Sequence, residues 1–414
     1  MHRPVSRRTL LQAAAAGALV NVLPIGRSGW AATAGVAGPK LVVVFLRGAV
    51  DGLNVVVPHG ERAYYDERPH IAIPRQGGEN GVIDLDGHFG LHPALRPMQA
   101  LWRDGSLAFV HACGSPDTTR SHFDAQDYME SGTPGLKTTP DGWLNRVVAE
   151  LPGPHGPTDA LGLGPTLPRI LTGRMPVAML PLGRGAARPM AIDRPEVAAN
   201  FDRLYAGDDS MSRAYQEGRT ARSKLVVEMA DEMKAADNGA PPPDGFSNDT
   251  ERLARLMSQD HSIRIAFLAL GGWDTHVNQG SAQGQLANHL KPLADGLAAF
   301  AQAMGPAWHE TVVLVISEFG RTMRENGNGG TDHGHGNVMW VMGGPVRGGK
   351  VYGPWPGLGS AALYQGRDLA VTTDFRHPIA AVLERHFRLT DTQLAKVFPA
   401  MPKPSSDLGV MLKA

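Results

Sequence analysis

Cysteine is almost missing: the 414-residue chain has one, Cys113. A single thiol excludes an internal disulfide scaffold, a cysteine-rich zinc site and an iron–sulfur cluster. Net charge is missing too, with 40 Lys+Arg against 40 Asp+Glu, so no basic excess points to nucleic acid. There is no internal repeat, no low-complexity tract beyond an Ala-rich N-terminus, and no uninterrupted run of about 18 apolar residues such as a membrane span needs. What is present suits a large folded core: 42% hydrophobic against 19% charged residues. Fifty glycines and 32 prolines predict many loops.

The N-terminus reads as an export signal. Arg7 and Arg8 precede Leu10–Leu23, an apolar stretch broken by Gln12, Gly17 and Asn21. It is too short and weak to span a bilayer, and Ala32-Thr33-Ala34 is a small-residue cleavage site. The paired arginines predict the twin-arginine route, with the Tat translocase as partner and residues 1–34 removed. The expected destination is periplasmic or extracytoplasmic, with no stable membrane span after cleavage.

The remaining chain, 35–414, is expected to form a single domain. Leu41–Leu46 is a continuous apolar, β-branched run, as in a strand buried on both faces of a parallel sheet. Leu107–Ala112, Ile263–Leu270, Thr311–Ile316 and Asn337–Met342 predict further strands. Helical spacing appears at Pro93–Trp102, after a Ser121 cap to about Glu130, and at Thr250–Met257, Gln285–Met304 and Pro378–Phe387. Residues 133–193 are Gly/Pro-rich and read as irregular, 195–237 as largely helical, and 238–245 as a linker. Together they predict an insertion at about 133–250. Strands alternating with helices predict the α/β class, an α/β/α sandwich around a mostly parallel central sheet.

In such sheets the ligand site lies beyond the carboxyl ends of the strands. There the sequence places Arg47 to Asn54 with Asp51, then Asp117 to His122 with Ser121. Further on it places Gly271 to His276 with Asp274 and His276, and Ser317 to Thr322 with Glu318 and Arg321. The loop Thr331 to Gly336, with Asp332, His333 and His335, leads into the last strand. Three potential ligands within four residues, Asp332, His333 and His335, suit a divalent metal. Carboxylate and imidazole without thiolate favour zinc, manganese or iron, as one or two ions. Ser121 at a helix start is placed to attack, and Arg321 or Arg120 to hold a phosphate or sulfate oxygen pair.

These fragments, from Phe45-Leu46-Arg47-Gly48 with Asp51-Gly52 and Leu91-His92-Pro93 through Arg120-Ser121-His122-Phe123 and Gly272 to His276, then Ser317 to Thr322 and Asp332 to Gly336, resemble an uncharacterised, twin-arginine-exported bacterial family of unknown function. The resemblance covers nearly the whole mature chain. That family looks like a distant branch of the alkaline phosphatase and sulfatase superfamily, which includes metal-dependent phosphoglycerate mutases. The resemblance implies an alkaline-phosphatase-like fold, a two-metal site and a Ser, Thr or formylglycine nucleophile. By position, Asp51, Asp274 with His276, and His335 resemble metal ligands, and Ser121 the nucleophile. The superfamily's Asp-His pair is replaced here by Glu318-Phe319. Either Asp332 and His333 supply those ligands or the second metal is lost. Cys113-Gly114-Ser115-Pro116 does not match the usual formylglycine motif.

The expected function is thus an exported metal-dependent hydrolase or transferase acting on a phosphate or sulfate ester. Its substrate would be an anionic small molecule or a glycan or lipid ester. The alternative is a non-catalytic envelope or binding protein that keeps the fold and at most one metal.

Overall fold

The run Lys40–Leu46 is buried at every position, and its alternating side chains serve two cores. The computed structural model describes residues 38–164, 166–180, 236–403 and 408–413. The expected signal segment, 1–34, and most of the helical stretch expected at 195–237 lie outside the described residues. Twelve strands are described: β1 Lys40–Leu46, β2 Val56–Val57, β3 Ile83–Asp84, β4 Gly90–Leu91, β5 Leu107–Gly114, β6 Ala160–Leu163, β7 Ala178–Leu180, β8 Ile265–Leu270, β9 Thr311–Ser317, β10 Asn337–Gly343, β11 Lys350–Tyr352 and β12 Thr373–Asp374.

The main sheet runs β11-β5-β10-β9-β1-β8-β6-β7, with β12 also paired to β5; β2, β4 and β3 form a small separate sheet. The pairs of β1 with β8 and β9 are parallel, as are β6 with β7 and β8, and β5 with β11 and β12. In the main sheet, among the described residues, only β10 runs against its neighbours, whereas the small sheet is antiparallel. The chain is therefore an α/β protein with a mostly parallel central sheet.

Helices cover both faces. On one, Val42, Val44 and Leu46 pack in a core with Leu253 and Met257 of α1, Phe246–Gln259, and with Leu286, Leu290, Leu293 and Leu297 of α2, Gln285–Met304. On the other, Leu41, Val43 and Phe45 share a core with Trp143, Leu144 and Val147 of Trp143–Glu150 and with Ile379, Val382 and Leu383 of Arg376–Phe387. Each such buried aliphatic chain is worth about 1.5–3 kcal/mol.

Two expectations need correction. Pro93–Trp102 is not one helix: Pro93–Met98 is a 3-10 segment and only Gln99–Arg103 is α-helical, because Pro97 removes a donor from the middle of the run. The Gly/Pro-rich segment is not wholly irregular. It carries the helix Trp143–Glu150 and the short strands β6 and β7, which extend the sheet beyond β8.

Register then places the site. Leu46 pairs with Leu270 and with Ser317, so β1, β8 and β9 end level with one another. Two antiparallel steps through β10 make β5 run with β1, so β5 ends, and β10 begins, at the same edge.

Candidate metal centre

His122 opens the helix α3, His122–Ser131, that follows β5. Asp274 and His276 lie in the turn after β8. Gly48, at φ +111°, lets the β1 loop pass this turn, since a Cβ there would stand 2.6 Å from the Asp274 amide. His333 is held by the loop before β10, which zips against the end of β9. Gly320 donates to the His335 carbonyl at 2.9 Å, Gly334 to that of Gly320 at 2.8 Å, and Thr322 to that of Asp332 at 2.9 Å. A Cβ on Gly320 would come within 1.8 Å of the Gly336 carbonyl oxygen, so this zipper needs glycine.

These loops bring three imidazoles and a carboxylate to one point. The Nε2 of His333 stands 3.0 Å from that of His122 and 2.9 Å from that of His276. Asp274 Oδ1 is 2.9 Å from His276 Nε2 and 3.4 Å from His333 Nε2. Asp274 Oδ2 is 3.5 Å from His122 Nε2 and is buried without a hydrogen-bond partner. Among the described residues, His122, Asp274 and His333 form the group that could hold a metal ion, with His276 Nε2 beside it.

The outer ring nitrogens face acceptors. His122 Nδ1 lies 2.7 Å from Glu318 Oε1, His333 Nδ1 lies 2.9 Å from the Arg120 carbonyl, and His276 Nδ1 lies 3.4 Å from Asp332 Oδ1. A carbonyl and two carboxylates can only accept, so each Nδ1 has an acceptor for its proton, and a neutral ring in this pose turns its Nε2 lone pair inward, as a metal ligand must. Arg321 Nη1 lies 3.4 Å from His276 Nε2, and Asp274 Oδ2 is buried beside the three ring nitrogens without a hydrogen-bond partner. A cation satisfies all four, and imidazoles backed by outer carboxylates and carbonyls are the usual support of a bound metal.

Arg321 is buried beneath the cluster. It donates to Asp274 Oδ1, to Ala49 O at 2.7 Å, Gly48 O at 3.0 Å, Thr331 O at 3.2 Å and Trp273 O at 3.3 Å. Burial disfavours charge on Asp274, but the Arg321 guanidinium and the three histidines overcome it and hold its carboxyl far below the usual range. Burial likewise opposes charge on His122, yet Asp274 and Glu318 raise it to about 9. Burial dominates at His333 and lowers it.

The expected site residues fall into three groups. Asp274, His276 and His333 meet in the cluster. Glu318 and Asp332 stand one layer out. Buried Glu318 accepts from His122, from the Gly48 amide at 2.8 Å and from Gln126 Nε2 at 3.0 Å. Asp332, 61% exposed, accepts from Asn326 as well as facing His276. Asp51 and His335 have other partners. Asp51 is fully buried in a two-pronged ion pair with Arg68, 2.6 and 3.1 Å, and accepts from Gln279 at 2.6 Å. His335 stacks on Tyr364 with ring centroids 4.6 Å apart. Ser121 is the exposed N-cap residue of α3, and its hydroxyl makes no capping bond. Arg321, expected at a substrate oxygen, has its donors committed inside the protein.

His122 was missing from the expected ligands. Its signal was position: a histidine opening a helix at the carboxyl edge of the sheet, next to a residue already singled out. Phe319 binds no metal, but its ring lies 4.9 Å from that of His122 and 5.2 Å from that of His333, where it buttresses both.

Among the described residues no helix is long and apolar enough to cross a membrane. No curated protein matches the chain. Solved structures do. One is Ps i-CgsB in complex with k-i-k-neocarrahexaose, at 11% identity over 86% of this chain and 74% of that one, TM-score 0.40. A second is a protein in the alkaline phosphatase superfamily from Vibrio parahaemolyticus, at 11% identity over 76% and 63%, TM-score 0.38. A third is a 2-O GAG sulfatase, at 10% identity over 76% and 66%, TM-score 0.37. This chain thus spans between three fifths and three quarters of the length of those proteins. At the level of the whole sequence one family matches, over residues 39–399, and the chain belongs to it: the family of proteins of unknown function DUF1501.

Proposed function

We propose that the protein is an exported, metal-dependent hydrolase or transferase of phosphate or sulfate esters, built around one divalent ion. The observation that carries this reading is the gathering of three inward Nε2 atoms around the Asp274 carboxylate, whose Oδ2 is buried without a hydrogen-bond partner. His122, Asp274, His276 and His333 would hold the ion, and a donor set of imidazole and carboxylate suits zinc, manganese or iron. One ion rather than two is favoured because Arg68 already neutralises Asp51, while Glu318 is saturated by His122, Gly48 and Gln126. When bound, such an ion supplies Lewis-acid charge at neutral pH for the oxygens of an ester.

The chain's own groups do the rest. Glu318 fixes the tautomer of His122, the Arg120 carbonyl that of His333, and Asp332 that of His276. Arg321 keeps Asp274 ionised and oriented, so it serves the ester from behind the ligand. Ser121 is the proposed nucleophile. It is exposed, adjoins the ligand His122, and its hydroxyl is free of capping duty. Its Oγ would form the bond to phosphorus or sulfur as the ester oxygen departs. An anionic small molecule or a glycan or lipid ester is the proposed substrate. Residues 1–34 are proposed as a Tat signal, and 35–414 as one domain with an insertion at about 133–250, acting in the periplasm or beyond.

The test is metal analysis of the purified mature protein, followed by aryl phosphate and aryl sulfate turnover. One ion per chain, lost on replacing His122 and His333 by Ala, together with metal-dependent turnover, is the expected result. A protein that binds no stoichiometric metal would refute the reading. One ion without turnover of either ester class would leave a binding protein.

A further inference from the structure

We infer that Arg120 and Arg367 form an anion-binding mouth on the metal centre, a fork that grips the oxygens of a tetrahedral oxyanion of the sulfate or phosphate class. The inference rests on the reading of the cluster as the centre of an ester hydrolase and names the residues that recognise its substrate's charge.

Both arginines meet on one carboxylate. Arg120 Nη2 donates to Asp368 Oδ2 at 2.6 Å, and Arg367 Nε donates to Asp368 Oδ1 at 2.8 Å. Asp368 is fully buried, whereas the two arginine side chains are 31% and 44% exposed. One carboxylate balances one guanidinium, so the pair keeps a positive charge that an anion would complete. Donors remain as well. Arg120 Nε is buried without a partner, and among the described residues nothing accepts from the Nη1 of either arginine. If the only task were to neutralise Asp368, one arginine would suffice and the second would add repulsion.

The pair is tied to a proposed metal ligand from two sides. The Arg120 carbonyl faces His333 Nδ1 at 2.9 Å, and Arg367 Nη2 donates to the His333 carbonyl. Arg120 also directly precedes Ser121. Arg321 cannot take this role, because it is buried and its donors are engaged by four carbonyls and Asp274. Partly exposed guanidiniums whose Nη1 groups remain free, Arg120 Nη2 being shared between Asp368 and Gln365, match the geometry of sulfate and phosphate oxygens.

The test is calorimetric binding of inorganic sulfate and inorganic phosphate to the mature protein and to its Arg367→Gln and Arg120→Gln variants, with metal content measured on each sample. The expected result is binding that weakens about tenfold to a hundredfold in each variant at unchanged metal content, as loss of a charged hydrogen bond predicts. If Arg120→Gln fails to fold, Arg367→Gln alone decides, since that side chain is nearly half exposed. Binding within twofold of the parent in the folded variants would overturn the inference, as would metal-loaded parent protein that binds neither anion. Anion binding lost in His333→Ala but kept in both arginine variants would also overturn it, because the anion would then sit on the metal. Arginine-dependent anion binding by a parent that carries no metal would uphold the mouth while refuting the metal centre.

Discussion

Replacing Glu318 by Gln tests whether the outer layer sets the inner one. Glu318 is fully buried and accepts from the His122 ring at 2.7 Å, the Gly48 amide at 2.8 Å and Gln126 at 3.0 Å, all on Oε1. Its other oxygen takes the Ser317 hydroxyl at 3.1 Å. An amide oxygen in place of Oε1 keeps all three acceptor contacts. An amide nitrogen in place of Oε2 can donate to Ser317, whose hydroxyl already bonds the Leu46 carbonyl at 2.7 Å. Shape and bond count therefore survive and only the charge is lost. A hydrogen bond to a charged group is worth about 1.5–3 kcal/mol and a neutral one about 0.5–1.5 kcal/mol, so roughly 1–1.5 kcal/mol disappears at His122. That is about a tenfold loss of metal affinity, within the tenfold to hundredfold usual for an outer carboxylate. Glu318→Ala behaves differently. It strands three buried donors at about 1–3 kcal/mol each, so the melting temperature falls as well. The assay is zinc titration against a competing chelator, with thermal melts alongside. A Gln variant that binds zinc as tightly as the parent would refute the idea that Glu318 orients a ligand.

Ser121→Ala should leave the melting temperature nearly unchanged, because the hydroxyl makes no capping bond, while turnover of any ester substrate falls at least a hundredfold; an active variant rules Ser121 out as nucleophile. Acid should destabilise the protein well above the usual carboxylate range. Burial lowers His92 and His111 to about 4, and both rings are locked neutral, each Nδ1 accepting a backbone amide at 3.0 Å and each Nε2 facing a carbonyl. Their native pKa lies below the unfolded value near 6.5, so the stability they lend is complete above pH 6.5 and is lost as pH falls towards 4, on the order of 3 kcal/mol each. Denaturant midpoints that stay flat from pH 7 to 4.5 would contradict this. Changing Arg7 and Arg8 to Lys should hold the precursor in the cytoplasm, as judged by fractionation; continued export would exclude the twin-arginine route.

Much of the fold was legible because its strands announce themselves. Leu41–Leu46 is apolar at each position and Thr311–Ile316 at all but its first, and only a strand covered on both faces tolerates that. The carboxyl-edge rule then pointed to the candidate cluster, where Asp274, His276 and His333 do meet. The short edge strands β6 and β7 were hidden because four and three residues carry too little periodicity to stand out among glycines and prolines. Layering within the site was hidden for a different reason. Whether a carboxylate touches the central point or the far nitrogen of a histidine depends on side-chain reach and rotamer, which no spacing encodes. Asp51 illustrates the limit: its partner Arg68 lies 17 residues on, beyond helix α4 at Arg62–Glu67, and nothing in the intervening sequence marks the pair.

Phe319 shows why reading a ligand set position by position can mislead. Taken along the chain, a phenylalanine beside Glu318 offers no ligand at the end of β9. Taken in space, an imidazole is supplied from another strand, because β5 ends at the same edge and His122 opens the helix that follows it. Glu318, in the neighbouring position, then becomes the acceptor that orients His122 at 2.7 Å, and Phe319 packs against the rings of His122 and His333. A histidine at 319 in the same pose would bring a fourth imidazole against these two rings in a space that Phe319 fills as a buried apolar buttress. Phe319 is thus coherent with the proposed single centre of three histidines and one aspartate. Asp51, away from this cluster, would carry an uncompensated buried charge if Arg68 did not balance it.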